Sequence, residues 1–227
     1  AVERNGTKLN LGSSRRWHPG VAKLREILTS GELGTLRSVL AYGGGPLLHT
    51  GSHYFDLLLR LEGDGPVEWV QGSVEPGEWD GTSIHVPRDL PGSGQCRFSS
   101  GVMGYYVAGG LPGEYEVICT EGSARVRNNG VDWELHRRGT RPDWEHKKMN
   151  LNPFNRVDFP PFERQSSSVN ILRDLREAVL TDGQTLGNAY VARAGTELAL
   201  GMVESHRQGG ARVSCPVENR SLYMVSK

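Results

Sequence analysis

Gly43-Gly44-Gly45-Pro46, followed closely by Ser52-His53-Tyr54-Phe55-Asp56-Leu57-Leu58-Leu59-Arg60-Leu61 and a terminating Gly63, is the stretch that decides the fold. Apolar side chains from Tyr54 to Leu61 occupy nearly the whole circumference of a short helix. Such a helix has no solvent face of its own and must be packed against a sheet. The three glycines end the strand predicted over Thr35 to Tyr42, where the backbone needs left-handed or closely packed conformations that glycine tolerates.

Upstream of this unit, Val21, Leu24, Ile27 and Leu28 recur at helical spacing between Pro19 and Gly31, which predicts an amphipathic helix of about three turns. Before it, Thr7 to Leu11 alternates weakly and predicts a short strand ending at Gly12-Ser13-Ser14. Val2 to Gly6 reads as the tail of a helix, so the chain is expected to start in the middle of something larger.

Downstream, strand-like runs are predicted at 67–74, 82–86, 96–99, 102–107, 115–120, 124–127 and 131–135. Glu121-Gly122 and Asn129-Gly130 supply hairpin turns between consecutive antiparallel strands. Residues 137–165 fit no period and carry Arg137, Arg138, Arg141, Lys147 and Lys148 among Trp144, Phe154, Phe159 and Phe162. That stretch reads as a lid, a partner-contacting excursion or irregular packing. Helices return over 168–180 and 185–207, and 211–215 reads as a closing strand. The class is therefore α+β, a large, mostly antiparallel open sheet with helices packed on one face. The other face would need cover, which points to a homodimer or a dimer of dimers formed through it.

The 227 residues carry 26 basic and 26 acidic side chains. That balance excludes a long-range field for nucleic acid or an anionic membrane. No apolar run approaches the length of a bilayer span. Cys96, Cys119 and Cys215 are too few and too far apart for a disulfide framework, a zinc finger or a redox pair, so a reducing, cytoplasmic setting is the simplest expectation.

His49 and His53 form the main chemical cluster, four residues apart between the glycine run and the buried helix. A histidine at a helix N-terminus is held toward its neutral form and can hydrogen-bond or deprotonate a hydroxyl. Asp56, one turn on, either orients the His53 ring or is simply buried against it. Zinc is the competing use of the two histidines, but no carboxylate lies between them as in the His-Glu-x-x-His motif. In Arg15-Arg16-Trp17-His18, an arginine can hold a sugar hydroxyl, a carboxylate or a phosphate. The same run reads equally well as a salt-bridged connector anchored by Trp17. Trp133 and Trp144 can stack on a sugar or on another subunit. No Gly-x-Gly-x-x-Gly segment or phosphate-binding Gly-Lys-Ser/Thr loop is present.

Taken in order, Arg15-Arg16-Trp17-His18-Pro19, Leu28-Thr29-Ser30-Gly31-Glu32-Leu33-Gly34, the strand from Leu36 to Tyr42 and Gly51-Ser52-His53-Tyr54-Phe55-Asp56-Leu57-Leu58 resemble the C-terminal half of the glucose-fructose oxidoreductase / inositol dehydrogenase / MocA (Gfo/Idh/MocA) family. So does the ending Glu204-Ser205-His206, Gly209-Gly210-Ala211-Arg212-Val213 and Cys215-Pro216. The resemblance implies NAD(P)-dependent oxidoreductases of sugars and polyols, with a Rossmann domain for the cofactor and an α+β domain for substrate and assembly. It implies that residues 1–12 are the end of a Rossmann domain and 13–227 the substrate-binding and oligomerisation domain. It also implies that NAD or NADP belongs only to a complete enzyme carrying the Rossmann half, here expected to be either separate or missing, and that this chain alone performs no hydride transfer.

By the same resemblance, His53 matches the family's substrate histidine, while His49 stands where the family places an Asp. His53 and His49 are thus the expected catalytic residues, with Arg16, Trp17 and Asp56 at the substrate. The alternatives are a non-catalytic domain binding carbohydrate or protein, and a metal-dependent lyase or isomerase using His49 and His53.

Overall fold

The computed structural model describes residues 2–75, 77, 79–109, 113–139 and 154–225. In chain order it contains α1 (Val2–Asn5), a 3-10 turn (Ser14–Trp17), α2 (Pro19–Thr29) and β1 (Leu36–Gly43). A π turn (Leu47–Gly51) runs directly into α3 (Ser52–Glu62). Strands β2 (Val67–Val74), β3 (His85–Val86), β4 (Gly92–Phe98), β5 (Met103–Ala108), β6 (Glu114–Cys119), β7 (Gly122–Arg127), β8 (Asp132–Arg138) and β9 (Phe154–Val157) follow. The chain then forms α4 (Ser167–Thr181), α5 (Ala189–Arg207), β10 (Val213–Ser214) and β11 (Tyr223–Met224).

Nine strands make one open sheet in the order β10-β2-β4-β5-β1-β6-β7-β8-β9, and β11 pairs with β3 separately. Within the large sheet β1 and β5 run parallel and the other described pairs are antiparallel. The α+β class with helices on one face is therefore the observed architecture. Helix α3 lies on β1, α5 lies on β2, and the two helices pack on each other. Leu57, Leu58, Leu59 and Leu61 of α3 are each 0–1% exposed, and burying a leucine fully is worth about 1.5–3 kcal/mol. This is why so apolar a helix forms here.

Side chains of β1 alternate across the sheet. Val39 and Ala41 are buried under the helices. Leu40 and Tyr42 point to the other face beside their partners Tyr105 and Val107 of β5 and Glu116 and Glu114 of β6.

Several sequence expectations change. Thr7 to Leu11 forms no strand: it lies along the α4–α5 connection, where Leu11 N–H donates to Gly187 O at 2.7 Å and no ladder partner adjoins it. The run at 82–86 shrinks to β3, because the Asp80 carboxylate accepts the N–H groups of Thr82 and Ser83, both at 2.8 Å, and holds a turn. Strand β4 begins at Gly92 rather than at Cys96. A Cβ on Gly92 or Gly94 would lie 2.6 Å from a β2 carbonyl oxygen, so close strand packing demands residues of low strand propensity. The aperiodic region yields β9, while Arg141, Trp144, Lys147 and Lys148 lie outside the described residues. Among the described residues no helix is long and apolar enough to cross a membrane.

Candidate functional site

The chain leaves β1 through the glycine run, and Gly45 adopts φ +86°, a left-handed conformation suited to glycine. Pro46 O then accepts both Thr50 N–H and Gly51 N–H at 2.9 Å, which makes the turn a π turn. The buried Asp89 carboxylate closes its start by accepting Leu48 N–H at 2.9 Å and His49 N–H at 2.7 Å. Pinned in this way, and continuous with α3, the turn places His49 and His53 on one wall of a cavity of about 400 Å³. π turns of this kind frequently occur at functional sites.

The remaining walls come from distant parts of the chain. Arg15 comes from the 3-10 turn, His18 from the junction between that turn and α2, Tyr115 from β6, and Asn129 from the β7–β8 hairpin. Tyr115 pairs with Ala41 in the ladder and so points toward the helices. Burial pushes its hydroxyl well above the ordinary tyrosine range, which keeps it a neutral donor. Asn129 sits at φ +53° in the hairpin, a conformation asparagine tolerates. Its Oδ1 accepts Arg15 Nη2–H at 2.9 Å, and the Arg15 guanidinium lies 5.1 Å from the centre of the Tyr54 ring. A Cβ on Gly43 would approach the same ring to 2.5 Å.

His53 is held below the usual histidine pKa, chiefly by burial and further by the charge of Arg15 and by His49. His18 is also lowered, by burial and then by Arg164. It caps α2 by accepting Gly20 N–H at Nδ1 and stacks on Trp133 with ring centroids 5.5 Å apart. Phe162 meets its edge. Both rings are therefore neutral at neutral pH, able to accept or donate a hydrogen bond without carrying charge.

His49 and His53, expected at the ligand, share the cavity. Arg16, Trp17 and Asp56 lie elsewhere. Arg16 is 1% exposed and Asp56 is 1% exposed. Arg16 donates from Nε to Asp56 Oδ1 at 2.8 Å and from Nη1 to Asp64 and Leu186 O, so the 3-10 turn, α3 and the α4–α5 connection are tied together. Trp17 is buried and donates to Asp174. The geometry follows the connector reading for Arg16 and Trp17, while Arg15 and His18 of the same run line the cavity, and Asp56 is bound to Arg16 rather than to the His53 ring. Among the described residues the cation that faces the cavity is the neighbouring Arg15. His18, Tyr115, Asn129 and the supporting Asp89 were not singled out by sequence. A His-Pro helix start was a signal for the first of these, and the others depend on which strands become neighbours.

Two ligand chemistries can be tested against the residues present. Among the described residues the turn after β1 is the one place where a strand runs through glycines into a helix, as in a dinucleotide site, but its N–H groups at Leu48 and His49 are already bound by Asp89. A pyrophosphate would compete with a buried carboxylate for the same donors, so these residues do not fit a nicotinamide dinucleotide. Among the described residues no group of three or more His, Cys, Asp or Glu side chains is arranged to hold a metal ion.

By sequence, the chain matches no family model and no curated protein. By structure, it is similar to an aldose-aldose oxidoreductase from Caulobacter crescentus solved with glycerol, with a TM-score of 0.69 and 16% identity over 93% of this chain and 65% of that one. It is similar to an NAD-binding oxidoreductase from Klebsiella pneumoniae, with a TM-score of 0.68 and 15% identity over 94% of this chain and 67% of that one. Levoglucosan dehydrogenase in complex with NADH and L-sorbose matches with a TM-score of 0.63 and 17% identity over 90% of this chain and 65% of that one. The chain thus spans about two thirds of the length of these proteins, and it has the fold of the corresponding part of oxidoreductase chains.

Proposed function

We propose that the chain is the substrate-binding and assembly half of a sugar or polyol oxidoreductase, with residues 13–227 forming that domain and 1–12 the end of a dinucleotide-binding one. The observation that carries this reading is the cavity that gathers His49, His53, His18 and Arg15 at the helix-covered side of the sheet. Such a lining offers several neutral donors and acceptors, the chemistry that hydroxyl groups require. The likeness to oxidoreductases solved with glycerol and with L-sorbose supports a hydroxylated ligand.

In this reading His53 accepts the proton of the substrate hydroxyl. Its depressed pKa keeps the ring unprotonated and ready to do so at neutral pH. His49 holds a second hydroxyl or the His53 ring, Tyr115 donates, and Arg15 fixes the ligand's far end. The chain's own part is binding, orientation and proton transfer.

The face of the sheet away from the helices carries Leu40, Tyr42 and Tyr105, with Val107 41% exposed and Ile118 38% exposed. The same reading assigns this face to a second copy of the chain.

Calorimetric titration with a panel of sugars and polyols tests the proposal. Binding that is lost in His53→Ala and His49→Ala variants of unchanged circular dichroism is expected. A panel with no binder, or binding indifferent to both substitutions, contradicts it.

A further inference from the structure

Among the described residues the charge of the cavity does not balance: Arg15 is its one arginine or lysine, and no aspartate or glutamate lines it. Carboxylates in the surroundings already have partners: Asp89 takes the N–H groups of Leu48 and His49, Asp56 and Asp64 take Arg16, and Glu114 takes Arg125. Among the described residues Arg15 has a neutral amide, Asn129 Oδ1, and the face of Tyr54 as its contacts. A guanidinium has five N–H donors arranged to grip a carboxylate with two parallel bonds. Asn129 uses one of them.

The three histidines do not supply the missing negative charge, and the two with depressed pKa values stay neutral. Arg164, near enough to His18 to act on it, adds to the positive bias. A half-buried cation in a cavity without a counter-charge is most strongly satisfied by a ligand that brings one. One guanidinium in the lining matches a monoanion better than a phosphate dianion, which is usually gripped by several cations or N–H groups.

We infer that the cavity takes a polyhydroxylated carboxylate, a sugar acid, in preference to the neutral sugar or polyol of the same skeleton. The carboxylate sits against Arg15 beside Asn129, and the hydroxyl chain extends across His18, His49 and His53. This inference rests on the reading of the cavity as a substrate site, and it assigns Arg15 the choice of substrate class.

The test titrates the full chain with D-gluconate, D-glucitol, D-glucose 6-phosphate and acetate, following the ring protons of His49 and His53 by NMR. Gluconate and glucitol share carbon count and hydroxyl stereochemistry and differ at the terminal group. Gluconate is expected to bind at least about tenfold more tightly than glucitol, the scale of one charge-assisted hydrogen-bonded pair. Arg15→Gln is expected to bring that ratio close to one, with gluconate affinity falling far more than glucitol affinity, and Arg15→Lys to keep part of the preference.

Equal or tighter binding of glucitol in the unsubstituted chain overturns the inference but leaves the substrate-site reading standing. So does a preference that survives in Arg15→Gln. Tighter binding of the sugar phosphate, or acetate binding as tightly as gluconate, overturns it in favour of a phosphate or a simple anion. If no compound moves the His49 or His53 signals, the site reading falls and the inference with it.

Discussion

His18 Nδ1 accepts the backbone N–H of Gly20 at 3.1 Å, so the neutral ring must carry its proton on Nε2. That nitrogen lies toward Gly130 of the cavity wall, where a Cβ would come within 3.9 Å of it. One residue thereby starts α2 and presents a fixed donor to the site. Nitrogen NMR is expected to show a single Nε2–H tautomer for His18, and both His18 and His53 to titrate below the ordinary histidine range of about 6.5. Titration of both at or above that value contradicts the assigned environments.

Arg16 and Asp56 form an ion pair with side chains 0% and 2% exposed. Removing one partner strands the other, so Arg16→Ala is expected to cost about 3–5 kcal/mol in chemical denaturation. A loss comparable to that of an exposed arginine would show that the pair is not the anchor described.

The pH dependence of stability combines opposite signs. Burial raises Asp56 to about 6 against the pull of Arg16. As pH falls through that value the native state takes up a proton before the unfolded chain does, and this group's contribution to stability rises down to about pH 4. His18 and His53 are lowered, so below about 6.5 the unfolded chain binds protons that the native state refuses and stability falls. Asp56→Asn removes the compensating part. Its stability curve between about pH 6.5 and about pH 4 is expected to fall more steeply than that of the unsubstituted chain, and parallel curves would refute the assignment.

A Cβ at Gly43 would meet Tyr54 Cε2 at 2.5 Å, and Tyr54 carries the Arg15 guanidinium on its face. Gly43→Ala is expected to destabilise by about 1–3 kcal/mol through overpacking and to weaken ligand binding by displacing Arg15. An unchanged affinity would mean that Arg15 is positioned independently of the Tyr54 ring.

The open face gives a prediction that leaves the cavity intact. Val107→Glu places a charge in the proposed interface between copies, and sedimentation is expected to shift from dimer or tetramer to monomer with ligand binding retained. A chain that is monomeric at micromolar concentration without any substitution rules out this use of the face.

Much of the architecture was legible because Tyr54 to Leu61 allowed one interpretation and the Glu121-Gly122 and Asn129-Gly130 turns fixed the order of hairpins. The parallel β1–β5 pair was not, since nothing local shows that β1 inserts between β5 and β6. For the same reason the proximity of His49 and His53, set by one turn, was legible, while that of Tyr115 and Asn129 was not. They reach the cavity only because β6 pairs with β1. Arg15 and Arg16 are adjacent in sequence, and the 3-10 turn sends one into the cavity and the other into the interior, a difference of side-chain direction that composition and spacing do not carry.

A crystal structure of the chain soaked with a polyol or sugar acid from the binding panel shows whether the cavity at His49 and His53 holds the hydroxylated ligand. Density is expected inside the cavity, with ligand oxygens at hydrogen-bond distance from His53 and Arg15. Ordered ligand on the open sheet face or beside α5, with the cavity left to water, would contradict it.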